Sequence, residues 1–289
     1  MVIVPTSMTD RPVHFFVHVP KCAGRSIELH LEKYLGERFL YLRRKRGLKR
    51  HLSSEIYRLP QRFDPAGTDA VSGHALGRSM ASHFKGREIR ESVLLRDPLS
   101  MLVSFYNFRM SRFTVEGWPH VSFERFYQSR HVNPMSTFLL VNYLELSWTR
   151  LARMPRAEKF ERLSERLADF WFVGDYRQCD SLIGRISVEF GIPDQAPRAN
   201  VLEKKLLTVD TVSAAMRDRI LDECALDQAI YDAWAGRGYD RMDDRPPAPV
   251  LRDRPGLIVA HEAKRQIENA RITAMRKRLG RLPRPEEEA

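Results

Sequence analysis

The sequence predicts an α/β fold in which helices flank a parallel sheet. Three observations lead there. A strand-like run, a tight loop and a helix follow one another in "FFVHVPKCAGRSIELHL", Phe15 to Leu31. Further short apolar runs alternate with helical stretches along the chain, and Pro98 stands just inside a helix that follows one of those runs directly. Such alternation places ligands at the carboxyl ends of the strands.

Taken in order, Val13 to Val19 reads as a buried parallel strand and Ser26 to Leu35 as the helix after it. A second strand fits Thr68 to His74 and a third Glu91 to Arg96, after which a helix runs through "LSMLVSFYNF". Phe123 to Arg130, Pro134 to Leu146 and Arg156 to Phe170 read as helices. In the last of these, Phe160, Leu163, Leu167 and Phe170 recur at core-facing spacing. Trp171 to Gly174 reads as a fourth strand and Cys179 to Phe190 as its helix, stopped by Gly191 and Pro193. Beyond Tyr239 the composition turns to proline and charge. Residues 1–240 therefore read as one α/β domain and 241–256 as a linker, with 257–289 a basic amphipathic helix ending in an acidic stretch.

With 289 residues and 43% hydrophobic content the chain can bury a substantial core. No run approaches the roughly 20 apolar residues that span a bilayer. The opening residues show neither a basic leader nor a long apolar segment, so a cytoplasmic location is expected. Cys22, Cys179 and Cys224 lack C-x-x-C spacing, which fits a reducing compartment and argues against a disulfide framework or a zinc site. Lys plus Arg exceeds Asp plus Glu by 48 − 37 = 11, which favours an anionic ligand or partner. Much of the excess lies in Tyr41 to His51 and Lys264 to Arg284. Each cluster fits a solvated helix face, an acidic glycan, a nucleic acid or a membrane surface. For the tail, peripheral contact with an anionic membrane is a further expectation.

A strand, a lysine-bearing turn with small residues, and a helix start together make an anion-binding arrangement. The loop is too short for G-x-x-x-x-G-K-[ST], and Lys21 precedes Gly24 instead of following it. A second anion-binding feature is "RDPLSMLVS". Arg96 falls at a strand end and Ser104 two helical turns on, since 104 − 96 = 8, so a guanidinium and a hydroxyl can converge on one phosphate.

"HVPKCAGRS" followed by "RDPLSMLVS" resembles the paired nucleotide loops of the sulfotransferases that use 3′-phosphoadenosine 5′-phosphosulfate (PAPS). The likeness is strongest to the carbohydrate-type branch, which includes heparan 2-O-sulfotransferases and bacterial relatives, and it covers Val13 to Gly238. It implies a P-loop-like parallel sheet flanked by helices, with the helical basic C-terminal extension outside it. It also implies PAPS as donor, a carbohydrate or glycolipid hydroxyl as acceptor, no obligatory metal and no specific nucleic acid. On this resemblance Lys21, Cys22, Ala23, Gly24, Arg25 and Ser26 hold the 5′-phosphosulfate, and Lys21 stabilises the departing bridging oxygen. Arg96 and Ser104 hold the 3′-phosphate, and Asn200 in "RANV" lies near the nucleotide, with Arg198 and Lys204 as supplements. Cys22 and Arg25 depart from the family, which usually has threonines there. Ser26 and the backbone amides then carry more of the binding, and Arg25 either adds a cation or points to solvent.

The acceptor hydroxyl needs a base. His74 in "SGHALG" lies in the loop after the second expected strand, between Gly73 and Gly77, and the family carries a catalytic histidine in a similar loop. A neutral imidazole suits that proton transfer. His18 belongs to the motif but reads as a core residue, and the other histidines suggest no role. The aromatic-rich segment Arg109 to Pro134 fits either an acceptor wall or ordinary packing. Two rival functions stay open. A small-molecule kinase needs a Walker-type loop and a magnesium-binding carboxylate, neither of which is evident. A non-catalytic binder of acidic polymers fits the charge but lacks clear stacking platforms.

Overall fold

In the computed structural model the described residues are 11–43, 59, 63–111, 121–195, 205–235, 246, 249–254 and 256–279. Five strands, β1 (Val13–Val17), β2 (Phe39–Tyr41), β3 (Ala70–Ser72), β4 (Ile89–Leu95) and β5 (Phe172–Asp175), form an all-parallel sheet in the order β2-β3-β1-β4-β5. Phe15 of β1 pairs in register with Val71 of β3 and Glu91 of β4, and Val93 of β4 with Val173 of β5. All five residues of β1 are buried. That is the consequence of helices covering both faces of a parallel sheet, and it is why this strand reads as a continuous apolar run.

After β1, helix α1 (Gly24–Leu35) carries the chain to β2 on one side of the sheet. After β4, α2 (Pro98–Met110), α3 (Phe123–Gln128), α4 (Pro134–Phe138), α5 (Trp148–Arg153) and α6 (Arg156–Ala168) carry it to β5 on the other. Connections that leave in opposite directions make a topological switch point at the carboxyl ends of β1 and β4, where open α/β sheets offer a ligand crevice. Helix α7 (Cys179–Phe190) packs beside α1, while α8 (Ala214–Glu223) packs on α2, and α9 (Ala225–Trp234) on α6. The buried His30 of α1 bonds Ser187 of α7 at 2.9 Å and the Gln195 carbonyl at 3.2 Å, so that histidine is structural.

The four expected strands and most expected helices are present with ends shifted by a few residues. Strand β2 and helices α5, α8 and α9 were not expected. The long helix expected over Pro134 to Leu146 is instead α4 followed by one π turn, Leu139–Tyr143. Asn133 at φ 50° opens that unit and Glu145 at φ 59° closes it. The start of α4 has no side-chain cap of its own. Instead, the fully buried Asp227 of α9 accepts the Met135 and Ser136 amides at 2.9 and 2.7 Å, while Asn133 accepts the Asp227 amide at 3.0 Å.

Within the segment expected as a linker, described residues contact the body of the protein. Asp253 accepts the Arg156 amide at 2.7 Å, and Leu251 packs against the main core. Helix α10 (Leu257–Leu279) lies along α3, joined by His261 to the Arg130 carbonyl at 2.7 Å and by Arg125 to Glu268 at 3.2 Å. No helix among the described residues is long and apolar enough to cross a membrane. Most of the basic cluster after Tyr41 and the acidic end lie outside the described residues.

Candidate functional site

The loop from His18 to Ala23 joins β1 to α1 at the crevice. Lys21 and Ala23 both have left-handed backbone, φ 69° and 60°. Each such non-glycine residue costs roughly 1 kcal/mol or more, and alternating conformations of this kind turn successive amides into an anion-binding concavity. Gly24 is required by close approach, because a Cβ there would lie 2.1 Å from the His18 ring. Helix α1 has no side-chain cap and no acidic residue in its first turn. In contrast, Asp97, Ser122, Ser147 and Ser213 cap α2, α3, α5 and α8. The start of α1 thus keeps its unpaired amides and the positive end of its dipole for another partner. The Ser26 amide bonds Ala23 and the Cys22 amide bonds Val19, which leaves Ala23, Gly24 and Arg25 as the amides suited to an anion.

The side chains of this loop divide their tasks. Cys22 is buried, with Sγ 3.8 Å from the Pro20 carbonyl, and burial pushes its thiol far above the ordinary range despite the opposing charge of Arg96. Its side chain belongs to the core. Arg25 lies 4.0 Å from Glu28 and 3.9 Å from Glu32 with its side chain half exposed, so it pairs with its own helix. The Lys21 ammonium sits 4.0 Å over the Phe108 ring of α2.

Arg96, just past the end of β4, is held on three sides. Its Nη1 donates to the Lys21 carbonyl at 3.1 Å, its Nε donates to Ser100 Oγ at 3.0 Å, and its guanidinium lies 4.0 Å over the Tyr176 ring. Ser100 in turn donates to Asp97, the cap of α2. The structure therefore joins Lys21 to Arg96 directly. Ser104 lies one turn beyond Ser100 on α2 and is half-buried. Asn200, Arg198 and Lys204 lie outside the described residues. Asn107 of α2 bonds the Leu206 and Leu207 amides at 3.0 Å, which brings the chain just after them to that helix.

His74 follows β3, the other neighbour of β1. Gly73 positions it with φ 127° and so close to Leu42 that a Cβ would lie 2.5 Å from the Leu42 carbonyl oxygen. His74 Nδ1 donates to the His18 carbonyl at 3.1 Å, so in the neutral ring Nε2 carries the lone pair. The His74 and His18 rings lie 4.2 Å apart, centre to centre. Crowding by protein and then the neighbouring His18 hold the His74 pKa below the ordinary histidine range, although part of the residue remains open to solvent. His18 is fixed through Nδ1 to Glu28 at 2.7 Å, and Glu28 also accepts from Ser72 at 3.0 Å. This buried chain orients the ring that wedges against Gly24 and the carbonyl that holds His74.

A cavity of about 260 Å³ is reached from these groups through their neighbours Pro20 and Phe138. Pro20, the residue before Lys21, lines it, as does Phe138, whose ring meets that of His74 edge-on at 6.2 Å. Phe105 and Trp148 add aromatic walls, the latter stacked on His131 at 4.8 Å. Among the described residues no cluster of three His, Cys, Asp or Glu side chains could hold a metal ion.

No protein-family model matches this chain, and no curated protein matches it significantly. The candidate site is therefore read from its own geometry. That geometry joins Lys21 to Arg96 and sets both Gly24 and His74 against His18, and it adds His18 itself, Glu28, Ser100 and Tyr176, which sequence reasoning set aside or missed. Glu28 had one signal: it is a carboxylate between Ile27 and Leu31 on the apolar stripe of α1. A buried acid at such a position needs a partner. Tyr176 had none, because only the pairing of β4 with β5 brings it over Arg96.

Proposed function

We propose that the protein transfers a sulfuryl group from PAPS to a hydroxyl of a carbohydrate or glycolipid. The observation that carries this reading is the uncapped, acid-free start of α1, set between Arg96 on one neighbouring strand and His74 on the other. Its fit to a phosphosulfate lies in the Gly24 cradle and the anion-suited amides beside it. The order of the sheet, with the anion loop after its central strand, is compatible with a P-loop-like architecture. Three buried free cysteines favour a reducing, cytoplasmic compartment.

The bound nucleotide would supply the sulfuryl group and a phosphate leaving group. In this reading the amides of Ala23, Gly24 and Arg25 bind its 5′ end, and the Lys21 ammonium offsets negative charge developing on the bridging oxygen. Arg96, kept rigid by Ser100 and Tyr176, binds the 3′-phosphate with Ser104 one turn further along. Asn200 remains assigned to the nucleotide by resemblance alone. His74 Nε2 takes the proton of the acceptor hydroxyl, while His18 and Glu28 act as positioning residues. Positioning and charge stabilisation dominate such in-line transfers.

The test is calorimetric titration with 3′-phosphoadenosine 5′-phosphate (PAP), the spent donor, against ATP and AMP. Selective binding of PAP that Arg96→Ala abolishes is the expected result. A preference for ATP with Mg²⁺, or no nucleotide binding at all, would overturn the proposal.

A further inference from the structure

The cavity beside His74 has one wall that comes from outside the α/β domain. Arg265 and Asn269 of α10 line it together with Arg130 and His131 from the turn after α3. Two guanidinium groups and no carboxylate are among its lining residues. Arg265 is held from behind: its Nε donates to Glu262 at 2.7 Å and its Nη2 to the same carboxylate, which also pairs with His131 at 3.2 Å. Burial tends to raise the Glu262 pKa, but Arg265 and His131 prevail and bring it down to about 2, so this carboxylate is ionised at any working pH. A guanidinium has five donor hydrogens in a fixed fork. With Nε and Nη2 committed to Glu262, Arg265 Nη1 has no acceptor among the described residues.

Helix α10 is anchored where this wall requires it. Asn269 donates to the Ser129 carbonyl at 3.3 Å, and His261 bonds the carbonyl of the adjacent Arg130. Both ties grip the turn that carries Arg130 and His131 into the cavity. Aromatic faces at Phe105, Phe138 and Trp148 suit the apolar face of a ring, and the volume of about 260 Å³ matches one ring with the rest of a larger molecule outside.

We infer that α10 completes the acceptor site and that Arg265 is a specificity-determining residue, binding a negatively charged substituent on the acceptor ring through its Nη1 edge. The inference rests on the proposed role of His74 as base for the acceptor hydroxyl, which makes the cavity next to it the acceptor space. Glu262 is the positioning residue that presents the guanidinium, and Trp148 and Phe138 hold the ring.

The experiment uses the full chain saturated with PAP and two probes that differ only at C6, p-nitrophenyl β-D-glucuronide and p-nitrophenyl β-D-glucoside, titrated by saturation-transfer NMR. A charge-assisted bond gained by the carboxylate predicts a glucuronide preference on the order of tenfold. Arg265→Met should bring the two affinities together, and Arg265→Lys should restore part of the difference, with PAP affinity unchanged in both. Should the Met variant fail to fold, Arg265→Gln, which can still bond Glu262, replaces it. Equal binding of the two glycosides, no binding of either, or a preference that survives in a folded variant would overturn the inference. Absence of PAP binding with the glucuronide preference intact would count against the donor reading alone, because the free chain then carries the acceptor test.

Discussion

His74 commits one ring nitrogen to a backbone carbonyl, its surroundings disfavour the charged form, and the proposed base is the other nitrogen. A lowered pKa means that the ring remains neutral, and competent as a base, until the pH falls below the ordinary histidine value. The acid limb of kcat/KM is therefore expected below ~6.5. Activity that already declines through neutral pH, or a limb unchanged in His74→Ala, would contradict this assignment. Lys21→Ala should lower kcat by about 100- to 1,000-fold while leaving PAP affinity within a few-fold, as measured by single turnover and calorimetry. Gly24→Ala is a different kind of change. Its Cβ meets the His18 ring, so it should displace the His18–His74 pair, and loss of turnover together with a lower melting temperature is expected. Lys21, Arg96 and Ser104 stood out in the sequence because strand ends and helix starts are where anions commonly bind, and the structure brings Arg96 onto the Lys21 carbonyl. Tyr176 did not stand out, because its partner Arg96 follows another strand, and Glu28 showed only as an acid on an apolar stripe, with no spacing to name His18 and Ser72 as its partners.

At the scale of elements, α4 shows how tertiary contacts replace local signals. It has five residues, far fewer than an isolated helix needs, and its first amides are satisfied by Asp227 from a helix about 90 residues away in sequence. Asp227→Ala leaves two buried amides without acceptors and should cost roughly 2–4 kcal/mol in denaturant unfolding. Burial raises the Asp227 pKa to about 6, against the pull of the Ser136 and Met135 bonds, from 3.8. A raised folded-state value means that its contribution is full below the unfolded pKa and is lost as the pH rises through about 6. On going from pH 7.5 to pH 5 the wild type should therefore gain about 1 kcal/mol relative to Asp227→Asn, which cannot titrate. Melting curves of both proteins at both pH values test the sign. Most strands and the longer helices were legible because strand runs and a 3.6-residue apolar period survive in a single sequence. Strand β2 was missed because three residues at a sheet edge carry no period, and α9 because its apolar face became evident only against α6.

Over the whole molecule, the basic C-terminal helix changes meaning once it is placed. From charge alone it fitted a solvated face, a polymer contact or a membrane contact. In the structure its Ile272 packs with Tyr106, Met110 and Phe126, and Glu268 pairs with Arg125. Removing residues 257–289 should accordingly lower the melting temperature by about 5 °C or more, since roughly 1 kcal/mol corresponds to a few degrees at this size. A truncated chain that melts with the wild type would show that these contacts contribute little. The sequence by itself determined the parallel α/β layering and pointed to the two loop segments for which anion binding is proposed, because strand burial, turn chemistry and helix starts are local consequences of residue order. Only the tertiary structure decided which side chains meet: that Arg96 rests on Tyr176 and the Lys21 carbonyl, that His18 holds His74, and that α10 walls the cavity beside them. Those meetings depend on strand order and helix packing, which couple residues far apart in the chain and leave no spacing in the sequence to read.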